Sequence, residues 1–242
     1  MNLAETGSAS EIVALLHANR LATTFIPAVA AATLRGSGMK RCIAVAGTMG
    51  AGKTSLVAWL VKRYGVVPFY EPNETNPYLA DFYEDMARWA FHSQCFFLAH
   101  KLELHQQLAA CARPAVIDRT IYEDAEIFAR NLHTQGHLSK RDWQVYWKLY
   151  EGICRSLRPP DLLIALTCPL ATAKKRIAQR GRKMEGAIPD AYLRRLHRLY
   201  TRWFDSYDLS PVVRIDTGKL DYVEDLVDLI ELTGTLDRAL ME

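Results

Sequence analysis

The sequence predicts an α/β fold in which a five-stranded parallel sheet carries helices on both faces. Short apolar runs alternate with longer stretches of helical periodicity, which is the pattern of strands joined by helical crossovers. The runs are almost continuously apolar, as expected for strands covered on both faces. The chain has 242 residues and 50% hydrophobic residues, which suits one large globular domain and excludes a disordered or fibrous chain.

The strand and helix candidates lie after residue 39. The strands are predicted at Cys42–Ala46, Val66–Tyr70, Ala115–Asp118, Leu162–Leu166 and Val212–Ile215. Apolar residues at spacings of three and four predict helices at Lys53–Tyr64, Met86–Cys111, Ile121–Leu132, Ser139–Leu157, Ala171–Arg180, Ala191–Ser206 and Tyr222–Leu232.

Residues 1–38 differ in composition from the rest of the chain. They are rich in alanine and threonine and end in Arg35-Gly36-Ser37-Gly38, which is typical of a linker. We therefore divide the chain into an N-terminal extension with a linker, 1–38, and one domain, 39–242. Two interpretations of the extension stay open: Met39 is the true start and an upstream stretch is translated with it, or a surface helix occupies the segment.

Charge and cysteine usage narrow the class of protein. The formal net charge is only +3, which argues against a nucleic-acid partner. The five cysteines are odd in number, far apart and never in a C-x-x-C pair, which favours a reducing compartment and argues against structural zinc. Polar residues and Pro27 interrupt the apolar stretch 12–34, so no membrane span is expected there. We predict a cytoplasmic protein without a membrane partner.

The segment directly after the first strand matches the phosphate-binding pattern G-x-x-x-x-G-K-[ST]. Glycines let main-chain N–H groups approach a polyphosphate, and the following helix adds the partial positive charge of its N-terminus. The lysine is expected to neutralise the β and γ phosphates, and the threonine hydroxyl to hold Mg²⁺. The residues are Gly47, Thr48, Met49, Gly50, Ala51, Gly52, Lys53 and Thr54. The pattern predicts a P-loop NTPase that binds a nucleoside triphosphate, and by itself it does not choose between a motor, a switch, a transporter ATPase and a kinase.

Two other strand ends carry charged residues. Ligands of open parallel sheets collect outside the carboxyl ends of the strands. The second strand is followed by Glu71, a carboxylate suited to accept the proton of an attacking hydroxyl. The third strand ends in Asp118 and Arg119, a candidate Mg²⁺ ligand and a candidate phosphate-binding guanidinium.

A basic run follows the fourth strand. Arg176 and Arg180 share one helix face, and Gly181 separates Arg180 from Arg182. We interpret the run as an arginine-rich lid that closes over ATP, since a glycine between the arginines suits a hinge. Guanidinium groups stabilise the charge of a migrating phosphoryl group.

Together these motifs resemble the deoxynucleoside kinase family, especially its bacterial members, between Met39 and Leu232. The family includes deoxyguanosine, deoxyadenosine and deoxycytidine kinases. The resemblance rests on the phosphate loop and on Glu71-Pro72, Asn76-Pro77-Tyr78-Leu79, the stretch from Phe82 to Gln94, Asp118 to Asp124, the arginine lid and Ile215-Asp216.

The resemblance implies roles for individual residues. Glu71 is similar to the family's general base for the 5′-hydroxyl, with Arg119 beside it. Tyr83 and Glu185 are similar to the pair that holds the sugar 3′-hydroxyl, Gln94 to the base-reading amide and Phe128 to an aromatic wall against the base. The lid cations are Arg176, Arg180 and Arg182, and the segment after Asp216 is similar to the loop around the donor's base. The family also implies a homodimer.

Base choice depends on Gln94, Asp124 and Lys101. An amide offers both a donor and an acceptor, and Asp124 can accept from an exocyclic amine. In the family a charged pair at the Asp124 and Lys101 positions accompanies purine and cytosine substrates, which favours these bases over thymine. Two positions depart from the family: Lys101 replaces a more usual arginine, and Ser93 replaces an aromatic of some relatives.

The leading hypothesis is a Mg²⁺-dependent kinase that transfers the γ-phosphoryl group of ATP to the 5′-hydroxyl of a deoxynucleoside, for nucleotide salvage. One alternative is a thymidylate-type nucleoside monophosphate kinase, whose acceptor is already ionised and needs no base such as Glu71. The other is a P-loop ATPase or switch that acts on a protein partner and hydrolyses ATP slowly without an acceptor.

Overall fold

Five parallel strands form one sheet in the order β2-β3-β1-β4-β5. They are β1 Cys42–Gly47, β2 Val67–Phe69, β3 Ala115–Asp118, β4 Leu162–Thr167 and β5 Val212–Asp216. The computed structural model describes residues 39–70, 75–181, 188–218 and 226–241. The predicted five-stranded parallel sheet is confirmed, and each strand lies within two residues of its predicted bounds.

Helices connect the strands. They are α1 Lys53–Tyr64, α2 Leu79–Glu84, α3 Met86–Ala110, α5 Lys140–Cys154, α6 Leu170–Arg180, α7 Asp190–Ser206 and α8 Leu226–Met241. Helix α4 consists of three consecutive pieces, Ile121–Glu123, the π-helical stretch Asp124–Ala129 and Arg130–Thr134. The extension 1–38 lies outside the described residues, so the division at residue 38 stays a prediction.

Both faces of the sheet are covered, as predicted. In β1, Ile43 and Val45 point to a core that includes leucines of α1 and α8, whereas Ala44 and Ala46 point to a core built with α3, α4, α5 and α7. These four β1 side chains are completely buried. This two-sided burial explains the continuous apolar runs, because successive side chains of a strand face opposite sides.

The strand order places a ligand-binding cleft beside β1. The chain passes from β1 to the β2 and β3 side of the sheet and then crosses to β4 and β5 on the other side. Where the strand order of a parallel sheet reverses direction, the connections on the two sides diverge. They leave a crevice outside the carboxyl ends of the adjacent strands. The segments that follow β1 and β3 therefore meet at this edge.

Three helical features differ from the prediction. The last helix was expected at Tyr222–Leu232, but α8 continues to Met241 because Leu236 and Leu240 extend its buried stripe beyond Gly234. The short helix α2 was not predicted, and neither was the π-helical stretch within α4.

Candidate active site

The phosphate loop connects β1 to α1. Gly50 and Gly52 have φ values of 78° and 93°, which favour glycine. A Cβ atom on Gly50 would lie 2.4 Å from the carbonyl oxygen of Ala173, so the loop packs directly against α6. The Lys53 ammonium donates to the carbonyls of Gly47 at 2.7 Å and Thr48 at 3.1 Å. An ammonium and a helix N-terminus thus converge at this loop, which suits a polyphosphate.

The predicted metal ligands Thr54 and Asp118 are brought together. The Thr54 hydroxyl donates to Oδ2 of Asp118 at 3.0 Å. The other carboxylate oxygen of Asp118, Oδ1, is buried and has no hydrogen-bond partner among the residues described. Hard oxygen ligands of this kind are those that Mg²⁺ prefers, usually together with substrate phosphates and water. The two side chains therefore fit a Mg²⁺ site next to the phosphate loop.

Arg119 has a left-handed backbone conformation with φ 66°. A residue other than glycine is strained in this conformation, and such residues cluster at functional sites. Three hydrogen bonds hold the turn: the Arg119 N–H donates to Val45 O at 3.0 Å, and the Lys101 ammonium donates to the carbonyls of Asp118 at 3.2 Å and Arg119 at 2.9 Å. The turn directs the Arg119 guanidinium over the Phe128 ring, 4.6 Å from its centroid.

The π-helical stretch of α4 positions two predicted substrate residues. A π turn contains an extra residue and is frequent at functional sites. In this stretch Asp124 is buried, and the half-buried Phe128 lies between the Arg119 guanidinium and the Tyr200 ring. The structure therefore brings two of the predicted site residues, Phe128 and Arg119, into contact.

The remaining described candidates for substrate binding lie on α2 and α3. Gln94 is buried, and its Oε1 atom has no hydrogen-bond partner in the described part of the chain. Lys101 is completely buried and supports the Arg119 turn from α3. Tyr83 is half-buried on α2, with its ring against that of Phe82. Of these residues, Gln94 presents an acceptor that a ligand can use.

The arginines of α6 occupy two different environments. Arg176 donates to the hydroxyl of Thr217 at 3.1 Å and to its carbonyl at 2.8 Å. The Thr217 hydroxyl in turn donates to Ala51 O in the phosphate loop at 2.8 Å. Arg176 is therefore connected to the phosphate loop through Thr217. Arg180, by contrast, is exposed in the last turn of α6. Asp216 ends β5, and its Oδ1 atom accepts from the N–H of Gly218 at 2.9 Å.

Three predicted site residues, Glu71, Arg182 and Glu185, lie outside the described residues. The structure does describe Tyr70, which precedes Glu71 at the end of β2. Burial raises the pKa of Tyr70, and the Asp118 carboxylate adds to this shift. Phe69, the last residue of β2, pairs with Ile117 of β3, so the chain leaves the sheet beside Asp118.

Sequence reasoning missed Glu123 and Thr217. Glu123 is completely buried, and one of its oxygens accepts from the N–H of Gly47 in the phosphate loop. The pattern Thr120-x-x-Glu123 is the signature of a helix capping box and marks this glutamate in the sequence. Thr217 has no such signature, because its hydrogen bonds connect three distant segments.

A protein-family model matches most of the chain. The family model described as deoxynucleoside kinase matches residues 43–233. This range contains the phosphate loop, Asp118, Arg119 and the whole sheet except Cys42, the first residue of β1.

Curated relatives are similar over most of the chain. A deoxyadenosine/deoxycytidine kinase of Bacillus subtilis is 37% identical over 185 residues, which are 76% of this chain and 85% of the relative. A deoxyadenosine kinase of Dictyostelium discoideum is 35% identical over 192 residues, 78% of this chain and 77% of the relative. A deoxyguanosine kinase of Lactobacillus johnsonii is 35% identical over 209 residues, 83% of this chain and 92% of the relative.

A solved structure shares the fold. The deoxyadenosine kinase from M. mycoides with bound dATP aligns with a TM-score of 0.71 at 29% identity. The alignment covers 81% of this chain and 98% of the other.

Proposed function

The chain belongs to the deoxynucleoside kinase family, and we propose that it transfers the γ-phosphoryl group of ATP to the 5′-hydroxyl of deoxyadenosine, deoxyguanosine or deoxycytidine. The observation that carries the proposal is the meeting of the two strand ends. Lys53 on the phosphate loop and Thr54 on α1 lie opposite Asp118 and Arg119, and the Thr54 hydroxyl touches the Asp118 carboxylate. This arrangement supports an enzyme that binds ATP at β1 and an acceptor at β3.

The acceptor side of the reaction needs a base. A 5′-hydroxyl must lose its proton as it attacks phosphorus, and Glu71 stands two residues after the end of β2, the neighbour of β3. We assign Glu71 as the proton acceptor. A monophosphate acceptor is already ionised, so this carboxylate favours a nucleoside as substrate.

The donor side of the reaction needs positive charge. Charge spreads over the phosphoryl oxygens during transfer, and fixed cations stabilise it most where water is excluded. We assign this role to Lys53 and Arg119, with Arg176, Arg180 and Arg182 contributed by the lid segment. Closure of the lid would exclude water, which competes with the 5′-hydroxyl as acceptor.

Mg²⁺ is part of the proposal because Thr54 and Asp118 fit it. The ion would be held by the Thr54 hydroxyl and the Asp118 carboxylate, whose Oδ1 atom has no protein partner within the described ranges. When bound, Mg²⁺ neutralises phosphate charge and orients the phosphates.

Asp118→Asn tests this metal site. We expect the Mg²⁺ concentration for half-maximal activity to rise by about tenfold or more, because an amide is a weaker ligand than a carboxylate for a hard cation. Activity is measured against Mg²⁺ concentration at saturating ATP and deoxynucleoside. Asp161→Asn, which alters a carboxylate at the opposite end of the sheet, serves as the control. An unchanged Mg²⁺ dependence in Asp118→Asn would contradict the assignment.

The preference for purine and cytosine bases rests on Gln94 and Asp124. The free Oε1 acceptor of Gln94 suits an exocyclic amine, which adenine and cytosine carry at the corresponding edge. The relatives named above are deoxyadenosine, deoxycytidine and deoxyguanosine kinases. We propose Tyr83 and Glu185 as the contacts of the 3′-hydroxyl, and Phe128 as the wall against the base.

The function is tested by ATP turnover against the four deoxynucleosides and their monophosphates. We expect rapid turnover with deoxyadenosine, deoxyguanosine or deoxycytidine and little with thymidine. A response to monophosphates alone would favour a nucleoside monophosphate kinase. Slow hydrolysis that ignores every acceptor would favour a switch or ATPase.

We further propose that two copies associate through α5. Val145 and Leu149 are each 48% exposed on this helix, and with Gly152, Ile153 and Ser156 they border an open depression of about 540 Å³. Val145, Leu149 and Ile153 recur every four residues and form an apolar stripe, with Lys148 and Arg155 also bordering the depression. Such a stripe suits packing against the same stripe of a second copy.

If two copies associate, sedimentation equilibrium at micromolar concentration should give the mass of two 27.4 kDa chains. Leu149→Glu is expected to weaken association by at least about tenfold, because it places two buried charges at the contact. Leu209→Glu, at an equally exposed leucine away from α5, is the control. A wild-type chain that sediments as a monomer would contradict the proposal.

A cytoplasmic location is part of the same proposal. All five cysteines are described and none forms a disulfide, which supports a reducing compartment. Within the described residues no helix is both long and apolar enough to cross a bilayer.

A further inference from the structure

Glu123 is a completely buried carboxylate at the start of α4 to which the proposed function gives no role. Its Oε2 atom accepts from the N–H of Thr120 at 2.8 Å and from the Thr120 hydroxyl at 3.2 Å. These contacts complete a capping box, which stabilises the first turn of a helix. A capping box uses one carboxylate oxygen, so helix capping does not account for the other.

The second oxygen of Glu123 connects two further elements. Its Oε1 atom accepts from the N–H of Gly47, the first residue of the phosphate loop, at 3.3 Å. It also accepts from the Tyr200 hydroxyl on α7 at 3.0 Å. The carbonyl of Gly47 accepts from the Lys53 ammonium on its other side. One carboxylate therefore joins the phosphate loop, the turn that carries Arg119, and α7.

The charges around Glu123 are those of the proposed catalytic site. Burial raises its pKa, and Arg119, Lys53 and Lys101 act in the opposite direction. Each oxygen accepts from one main-chain N–H group, so both oxygens are held by a fixed donor. A buried carboxylate is stable only where cations and donors compensate it, and here the compensating cations are held near the position of the phosphates.

We propose that Glu123 is a positioning residue for phosphoryl transfer. It fixes the phosphate loop and the Arg119 turn relative to each other and to α7, so that Lys53 and Arg119 reach the transferred phosphoryl group together. The inference rests on the proposed roles of the phosphate loop and Arg119. Because the contacts of Glu123 lie on the phosphate side of the cleft, its effect is on kcat and not on the KM of the deoxynucleoside.

Glu123→Gln separates this role from helix capping. Glutamine also serves in a capping box, so α4 keeps its first turn. The amide NH₂, however, then faces the Gly47 N–H and the Tyr200 hydroxyl, and the loop loses an acceptor. We expect kcat to fall by about tenfold to a hundredfold, since small displacements of catalytic groups have effects of this size. The KM of the deoxynucleoside should stay within about twofold of the wild type, because the nucleoside contacts are intact.

Glu126→Gln is the matched control. Glu126 lies in the next turn of α4 and accepts from the Tyr150 hydroxyl on α5, remote from the phosphate loop. The glutamine oxygen can still accept this hydrogen bond, so kcat, KM and Tm should remain at wild-type values.

Tyr200→Phe provides an independent measurement that does not depend on how well Glu123→Gln folds. It removes one donor to Glu123 and keeps the ring contacts with Phe128 and Phe204. We expect kcat to fall by roughly threefold to tenfold, in line with loss of one hydrogen bond to a charged group. If Tyr200 acts through Glu123, the double variant should show the kcat of Glu123→Gln within about twofold.

The outcomes separate the two proposals. A lower Tm with wild-type kcat in both Glu123→Gln and Tyr200→Phe would mean that Glu123 only caps the helix. This result would overturn the inference about Glu123 but leave the proposed kinase function standing. Losses in kcat that multiply in the double variant would also overturn it. A wild-type chain that phosphorylates no deoxynucleoside would overturn the proposed function and this inference with it.

Discussion

Glu71→Gln is expected to lower turnover by about 10² to 10⁴ while ATP binding stays nearly intact, as for loss of a general base. The amide has nearly the same shape as the carboxylate but cannot take the proton of the 5′-hydroxyl. Glu71 follows β2, two strands away from the phosphate loop, so its replacement leaves the contacts of Lys53 and Thr54 unchanged. The measurements are kcat under saturating substrates and the Kd of ATP by calorimetry.

The same variant also has a distinct pH signature. The wild-type rate should decrease at acidic pH, because a protonated Glu71 cannot accept a proton, and Glu71→Gln should lose this acidic decrease. Glu74→Gln, at the other glutamate of the same segment, is the control and should keep both the rate and the pH profile. Loss of ATP affinity equal to the loss of turnover would instead identify Glu71 as a residue that maintains the structure of the ATP site.

The sheet was predictable because its signals are local. Strands β1 and β3 are continuous apolar runs that end in a glycine and an aspartate, and burial on both faces of β1 explains this pattern. The full length of α8 was less predictable. Gly234 interrupts its pattern, but packing of Leu236 and Leu240 against the α1 side of the sheet continues the helix.

The site was predictable only in part. Asp118 and Thr54 could be paired from the sequence because the carboxyl ends of parallel strands meet at one edge. The burial of Lys101 against the carbonyls of Asp118 and Arg119 could not be predicted, since it depends on how α3 crosses the sheet. The contact of Arg176 with Thr217 likewise joins segments 41 residues apart.

The backbone of Arg119 illustrates the same limit and leads to the second large prediction. Sequence patterns assign a charge to this position but not a left-handed φ of 66°. A strained residue of this kind persists where the surrounding contacts determine it, and here Val45 and Lys101 do so. This backbone conformation accompanies a guanidinium that lies against Phe128, so Arg119 combines a backbone cost with the catalytic role that we propose for its side chain.

Arg119→Gly is expected to separate activity from stability. Turnover should fall by about 10² to 10³, the effect of removing one fixed group that stabilises transition-state charge. The free energy of unfolding should change by less than about 1 kcal/mol, because glycine relieves the left-handed strain and offsets the lost contact with Phe128. The measurements are kcat and urea unfolding of the same preparations.

Arg130→Ala is the matched control, since it also removes a guanidinium that lies over an aromatic ring, 4.8 Å from the centroid of Trp147, but outside the cleft. It should cost about 0.5–1 kcal/mol of unfolding free energy and leave turnover unchanged. Arg119→Lys should retain part of the activity, because an ammonium keeps the charge but not the planar fork of the guanidinium. An unfolding free energy of Arg119→Gly that is several kcal/mol lower than that of Arg130→Ala would contradict the strain assigned to this turn. Arg119 would then be a residue that mainly stabilises the fold.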